Sequence, residues 1–147
     1  MKFRTMEKRR ASSVQGDKRI FRVARRKISG NEHEMQTAFI QWALISEPDF
    51  PQFKYLYSIP NAAASQSKQL VAEGVKSGVP DLHLAWPSGR FHSLYIEFKS
   101  GTYKLSDTQL VWRKRLEDVG HFVGVCRSLD SAKNLIVLYV KNPEKLG

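Results

Sequence analysis

Apolar side chains recur every three to four residues in several segments of the chain, and this period predicts helices. The first predicted helix begins after Asn31, a residue type that favours the N-cap position, and it ends before Pro48. Three further segments share the helical period, namely residues 65–75, 107–119 and 129–140. Ser106 and Ser128 are predicted to cap the last two of these helices, and Gly120 is predicted to end the third helix of the chain.

Runs of aromatic, β-branched and other apolar residues predict strands. Four segments have this composition, namely residues 53–59, 81–86, about 92–98 and 121–128. The second and third segments are joined by a short turn at residues 87–89, which predicts an antiparallel hairpin. The resulting order α-β-α-β-β-α-β-α predicts an α/β fold in which helices flank a small mixed β-sheet.

The length of 147 residues suits one domain with a buried core, which we assign to residues 30–147. No apolar run approaches the roughly 18 residues of a membrane span, so no membrane partner is predicted. The charged N-terminus lacks a hydrophobic signal segment, and Cys126 is the one cysteine of the chain. These features predict a cytoplasmic protein without disulfides, in which Cys126 is a small core residue.

The positive charge of the chain is concentrated at its N-terminus. The formal net charge is +10, and residues 1–29 hold eleven basic and two acidic residues. This segment also has few large apolar residues, so we predict a disordered basic arm. A basic arm on a nearly neutral body indicates a polyanionic partner, most often nucleic acid. The alternative is a solvated tail that aids solubility.

Charged residues stand at the ends of the two hairpin strands, where burial is costly unless the charges are paired. Asp81 begins one strand, and Glu97 and Lys99 end the next strand on one side of the sheet, because side chains alternate along a strand. The hairpin therefore brings all three to one edge. Two carboxylates beside a lysine suit Mg²⁺ and phosphate chemistry. A structural ion pair at the sheet edge is the alternative interpretation.

The spacing of these residues has a known parallel. Pro80-Asp81 followed by Glu97-Phe98-Lys99 at the end of an apolar strand resembles the PD-(D/E)xK nuclease superfamily. With NEHEMQ, IPNAAAS and KLSDTQLVWRKRLEDVGHFVGVCRS around that pair, the chain resembles the virus-type replication-repair nuclease (VRR-NUC) domain family, especially its stand-alone, phage-like members. The resemblance spans about residues 31–140 and implies a restriction-endonuclease-like αβββαβ core.

The resemblance also implies roles for individual residues. Asp81 and Glu97 would bind a divalent metal, Mg²⁺ or Mn²⁺, and Lys99 would be the catalytic lysine. Gln109 would be an accessory catalytic glutamine. Ser106 and Gln109 also match a capping box, so local helix capping is the alternative interpretation of Gln109.

The resemblance further implies a third metal-binding carboxylate on the first helix, where Glu32 and Glu34 are both candidates. With Asn31 as N-cap, Glu34 stands at N3 and can fold back onto the cap, whereas Glu32 is freer to point outward. Glu32 also shares a helix face with Gln36, which resembles the Glu-x-x-x-Gln start of the family. We therefore favour Glu32.

The segment IPNAAASQSKQLVAEGVKSG is the predicted DNA-facing loop. Its small residues allow a phosphate chain to approach closely, and six side chains offer hydrogen-bond donors: Asn61, Ser65, Gln66, Ser67, Lys68 and Lys76. Three alanines, residues 62–64, stand where relatives often carry glycines, which puts the local backbone conformation in question. An ordinary linker into a helix is the alternative interpretation.

The resemblance implies a metal-dependent endonuclease that hydrolyses DNA phosphodiesters. Stand-alone relatives resemble Holliday junction resolvases in architecture, which implies a homodimer with two sites for paired cuts on branched DNA. Such a phage-encoded member would work in DNA repair in the bacterial host cytoplasm. Three alternatives remain, namely a less selective nickase or flap nuclease, a toxin-like or restriction-type effector, and an inactive DNA-binding module.

Overall fold

The computed structural model describes residues 31–61 and 68–147, so the basic arm predicted at residues 1–29 lies outside the described residues. The helices are α1 (Glu32–Ser46), α2 (Lys68–Ala72), α3 (Asp107–Asp118) and α4 (Leu129–Lys141). The strands are β1 (Leu56–Ser58), β2 (Leu82–Leu84), β3 (Leu94–Phe98) and β4 (Phe122–Cys126). This order confirms the predicted α-β-α-β-β-α-β-α arrangement. None of the helices in this part of the chain is long and apolar enough to cross a membrane.

The four strands form one mixed sheet in the order β1-β2-β3-β4. β2 pairs antiparallel with both β1 and β3, which confirms the predicted hairpin, and β3 pairs parallel with β4. In the hairpin register, Leu82 lies opposite Ile96. One step further along the same register, Asp81 comes opposite Glu97. The register therefore places the two predicted carboxylate residues in directly opposite positions at the end of the hairpin.

One face of the sheet packs against α1 and α4 and forms the apolar core. The alternating residues Leu94, Ile96 and Phe98 of β3 are fully buried on this face. The same core includes Met35, Phe39, Leu82, Leu84, Cys126, Ala132, Ile136 and Tyr139. Burial of such side chains is the main driving force for folding. Glu97 lies between Ile96 and Phe98, so its side chain points to the opposite face.

The segment predicted as a strand at residues 53–59 is only partly extended. Residues Pro51–Tyr55 form a 3₁₀ helix, and β1 begins at Leu56. Pro51 occupies the start of the 3₁₀ helix, where its fixed φ is favourable and its missing N–H is not needed. The turn buries Phe53, whose ring stacks on Phe50 with centroids 4.8 Å apart and also packs against Trp42. Tertiary burial of an aromatic residue thus overrode its strand propensity.

The ends of the long helices follow the predicted caps. The Ser106 side chain accepts a hydrogen bond from the N–H of Gln109, and the Ser128 side chain accepts one from the N–H of Ser131. α3 ends at the C-cap Val119, and Gly120 follows with a φ of 92°. An added Cβ at Gly120 would also overlap the His92 ring, so both the backbone angle and the space require glycine.

We predict that Gly120→Ala destabilises the protein more than Gly74→Ala. Both glycines have positive φ, but a Cβ at Gly74 meets no atom within 4 Å. The control therefore carries the backbone strain alone, about 1 kcal/mol, while Gly120→Ala adds the overlap with His92 and should lose about 2–3 kcal/mol. Urea unfolding of both variants measures the difference. Equal losses would show that the His92 ring moves aside freely.

Candidate active site

Asp81 is fixed at the end of the hairpin by a backbone hydrogen bond. Its Oδ2 accepts the N–H of Phe98 at 2.7 Å, so the carboxylate closes the hairpin next to the last residue of β3. Burial raises the pKa of Asp81 above its ordinary value, and this effect outweighs the hydrogen bond from Phe98. The negative charge of Glu32 raises the pKa further, while the positive charge of Lys99 lowers it. Asp81 is thus a desolvated carboxylate that belongs to a charged group.

Glu97 is the buried acid of this group, with only 4% of its surface exposed. Burial is the main reason that its pKa rises to about 8, and the negative charges of Asp81 and Glu32 add to the rise. Lys99 acts against this by favouring the charged form. Burying the charged form of an acid next to other acids costs free energy, so a nearby cation would stabilise the charged form.

Lys99 supplies one such cation. Its Nζ lies 3.6 Å from Oε1 of Glu97 and 4.0 Å from Oε1 of Glu32, and 12% of its side chain is exposed. The Lys99 N–H donates to the carbonyl of Cys126 at 3.0 Å, which prolongs the pairing of β3 with β4 by one residue. The sheet therefore holds the lysine backbone while its ammonium group stays partly accessible.

Glu32 joins the group from the first turn of α1. Its Oε1 accepts the N–H of Ser100 at 3.1 Å, just beyond β3, and 41% of its side chain is exposed. The Asn31 side chain caps α1 by accepting the N–H of His33 at 2.9 Å. Glu34 is exposed on the same turn. The structure therefore brings Glu32, the favoured one of the two predicted candidates, next to Lys99.

Gln109 caps α3 and also contacts the charged group. Its Oε1 accepts the N–H of Ser106 at 2.9 Å and completes the capping box of α3. Its Nε2 donates to Oε1 of Glu97 at 2.5 Å. One amide thus caps the helix with one atom and contacts the buried acid with the other.

The donor set of this group suits a hard divalent cation. Mg²⁺ is usually held by one or two carboxylates together with waters and substrate phosphate, and Asp81 and Glu97 provide two carboxylates across one hairpin rung. A bound cation would offset the charge by which Asp81 raises the pKa of Glu97. Within residues 31–61 and 68–147, no three Asp, Glu, His or Cys side chains are already gathered as a metal site. Of the three predicted ligands, Asp81 and Glu97 thus stand opposite each other across one rung, and Glu32 lies 4.0 Å from Lys99.

The predicted DNA-facing residues fall in two parts of the chain. Residues 65–67, which comprise Ser65, Gln66 and Ser67, lie outside the described residues. Asn61 is half-buried after β1, Lys68 begins α2 on the surface, and Lys76 is exposed ahead of Gly78. A Cβ at Gly78 would come within 2.6 Å of the Thr108 carbonyl carbon, so this segment packs closely on the first turn of α3, beside Gln109.

A hydrogen-bonded chain on the same sheet face as Glu97 was not predicted from the sequence. Tyr57 Oη and Nδ1 of His83 are 2.6 Å apart, Nε2 of His83 and Oγ of Ser93 are 2.8 Å apart, and Ser93 Oγ lies 2.7 Å from Nδ1 of His121. Burial lowers the pKa of both histidines, which keeps them neutral near pH 7. These residues come from β1, β2 and the segments before β3 and β4, so no spacing in the sequence indicates that they are hydrogen-bonded to one another.

Comparison with known proteins agrees with this geometry. The family model of the VRR-NUC domain matches residues 18–130. A solved structure described as a VRR_NUC domain protein is similar over 77% of this chain and 91% of that chain, with 29% sequence identity and a TM-score of 0.64. A search of curated proteins gives no match. The structural similarity confirms the restriction-endonuclease-like fold that the sequence predicts.

We predict that the metal-free protein becomes less stable as pH rises from about 4.5 to about 8. The Glu97 pKa rises from 4.5 to about 8, so the folded state binds more protons than the unfolded state in this window. The contribution of Glu97 to stability is thus complete at the acidic end and lost toward the alkaline end. Thermal melting in EDTA across this range should show the slope, and Glu97→Gln should flatten it. An identical slope in the variant would assign the pH dependence to other groups.

Proposed function

Since the chain belongs to the VRR-NUC domain family and has a nuclease-type function, we propose that it is a divalent-metal-dependent endonuclease that cuts branched DNA. The observation that supports this most strongly is the contact of Lys99 with Glu97, 3.6 Å apart, beside Asp81 at the end of one hairpin. Two carboxylates can hold a divalent cation for phosphodiester hydrolysis, and a lysine beside them can stabilise the charge that develops on the phosphate.

In this proposal Asp81, Glu97 and Glu32 hold Mg²⁺ or Mn²⁺. When bound, the metal ion supplies an acidified water and neutralises negative charge on the phosphate. Hydrogen bonds already hold two of these carboxylates, because Asp81 accepts the N–H of Phe98 and Glu32 accepts the N–H of Ser100. Preorganised ligands lose little freedom on binding, which favours a well-ordered site.

Lys99 acts on the reacting groups directly. Its ammonium group carries three donors, and its contacts with Glu97 and Glu32 leave donor capacity for a water or a phosphate oxygen. The lysine thereby orients the attacking water or stabilises the charge that develops on the phosphate. Gln109 positions Glu97 through its hydrogen bond and adds no charge of its own.

In this proposal, basic and polar residues of the segment after β1 hold the DNA backbone. Lys68 begins α2 and Lys76 follows its end, and the predicted donors Asn61, Ser65, Gln66 and Ser67 belong to the same stretch of chain. Together with the basic arm at residues 1–29, they contact phosphates and give salt-dependent affinity with little sequence information. A homodimer would supply two such sites for paired cuts on a Holliday junction.

The cleavage assay tests the proposal with four-way junction, flap, single-stranded and plain duplex DNA, each with Mg²⁺, Mn²⁺ or EDTA. We expect metal-dependent cuts in branched DNA, and we expect Asp81→Ala and Lys99→Ala to lower the rate by about 10²–10³-fold. Lys114→Ala is the matched lysine control, because Lys114 is exposed and pairs with Asp118 on the surface of α3. Its rate should stay near that of the unchanged protein.

Absence of metal-dependent cleavage on every substrate would contradict the enzyme proposal and favour the inactive DNA-binding module. Equal cutting of all four substrates would contradict only the preference for branched DNA and favour the less selective nuclease.

A second experiment compares Glu32→Gln with Glu34→Gln. We expect Glu32→Gln to lose most activity, because Oε1 of Glu32 lies 4.0 Å from Lys99 Nζ and is bonded to Ser100. Glu34 is exposed on the same turn, so Glu34→Gln should keep most activity. Single-turnover rates at several Mg²⁺ concentrations separate weaker metal binding from slower chemistry. The reverse result would assign the first-helix carboxylate to Glu34.

A further inference from the structure

Tyr103 is the most exposed large apolar side chain in the described part of the chain, with 73% of its surface exposed. A single exposed tyrosine is ordinary on a protein surface and by itself indicates nothing. The position of Tyr103 is informative, because Tyr103 lies in the loop that follows β3, four residues after Lys99.

Tyr103 lines the same shallow cavity as two residues of the candidate active site. The cavity has a volume of about 470 Å³, and its lining residues are Asn31, Glu32, Lys99, Ser100, Tyr103 and Lys104. This volume lies within the range of about 300–1,000 Å³ that is typical of small-ligand sites. The cavity is therefore a continuation of the active site toward the Tyr103 ring.

Hydrogen bonds hold the backbone of this loop in place. Nη1 of Arg127, just beyond β4, donates to the carbonyls of Gly101 at 3.0 Å and Tyr103 at 2.8 Å. The N–H of Tyr103 donates to the carbonyl of Ser100, whose own N–H is bonded to Glu32. The exposed ring is thus carried by a backbone that hydrogen bonds hold in place and connect to the active site. Because this backbone is already ordered, ligand binding costs little further backbone entropy.

The charges around the ring suit a phosphate chain. Lys99 and Lys104 line the cavity and Arg127 borders the loop, while Glu32 is the acid among the lining residues. An aromatic ring beside basic side chains is the arrangement by which proteins hold single-stranded nucleic acid, since the ring stacks a base and the cations contact phosphates. In continuous duplex both faces of each base are covered by neighbouring bases, so an unpaired, unstacked base is what the ring can bind.

From these observations, and resting on the proposed nuclease function, we propose that Tyr103 stacks an unpaired nucleobase next to the scissile phosphate. Among the branched substrates of the proposed nuclease, Tyr103 then favours those with an unpaired nucleotide at the cut, such as a flap, over fully paired DNA. Arg127 is a positioning residue in this proposal, because it holds the loop and leaves the base contact to the ring.

The test measures binding with cleavage disabled. All proteins carry Asp81→Asn in the full chain, and fluorescence anisotropy in EDTA reports affinity for flap, single-stranded and blunt duplex DNA. We expect Tyr103→Ala to weaken binding to the first two by about 5- to 100-fold and to duplex by less than about 2-fold. Tyr103→Phe keeps the ring and should bind like the parent protein. Equal weakening on all three substrates, or no weakening, would overturn the proposal.

A base analogue gives a direct view of the stacking. 2-Aminopurine placed along the unpaired strand loses fluorescence when it stacks on an aromatic ring, so one position should be quenched with Tyr103 and Tyr103→Phe and should stay bright with Tyr103→Ala. Tyr55→Ala is the control, because Tyr55 is also half exposed but stacks on Trp86 within the protein. It should leave the quenching unchanged, and quenching lost in this control would overturn the assignment to Tyr103.

This test separates the two proposals. Quenching without any metal-dependent cleavage by the protein with intact Asp81 would keep the stacking site and remove the proposed nuclease activity. Cleavage of flap and duplex DNA without Tyr103-dependent quenching would keep the nuclease and remove the stacking site.

Discussion

The hydrogen bond from the Phe98 N–H to the Asp81 carboxylate is the contact on which the rest of the site depends. It closes the β2–β3 hairpin at the rung where Asp81 and Glu97 stand opposite each other. The side chain of Phe98 is at the same time fully buried against α1, where its ring meets Phe39 edge-on. A shift of this rung would therefore disturb the core and the carboxylates together, which is why a packed core can hold a charged site in register.

The two faces of β3 carry opposite chemistry at a separation of one residue. Ile96 and Phe98 bury apolar surface on one face, while the carboxyl group of Glu97 is nearly as buried on the other face. A lone acid there would be unfavourable, and the protein offsets it with the Lys99 ammonium group and the Gln109 amide. The family to which the chain belongs is one of nucleases, and in the proposed mechanism this buried acid is one of the metal ligands.

Local sequence signals predicted the features whose causes are local. The Ser106 cap, the glycine at 120 and the hairpin depend on residues a few positions apart, and the structure has all three. The ordered motifs around Asp81 and Glu97 also predicted the site cluster. The 3₁₀ helix at Phe53 and the hydrogen bonds that join His83 to His121 through Ser93 were missed, because they depend on contacts between distant segments. Tertiary burial and long-range pairing leave no periodic trace in the sequence.

The two hydrogen bonds of the Gln109 side chain have a consequence for local motion. Fraying of the first turn of α3 would break the bond to Ser106 and withdraw the amide from Glu97 in the same event. The end of a surface helix, ordinarily the first place where a protein opens, thereby shares one opening equilibrium with the active site. The contact of Gln109 with Glu97 then lasts only as long as the first turn of α3 stays closed.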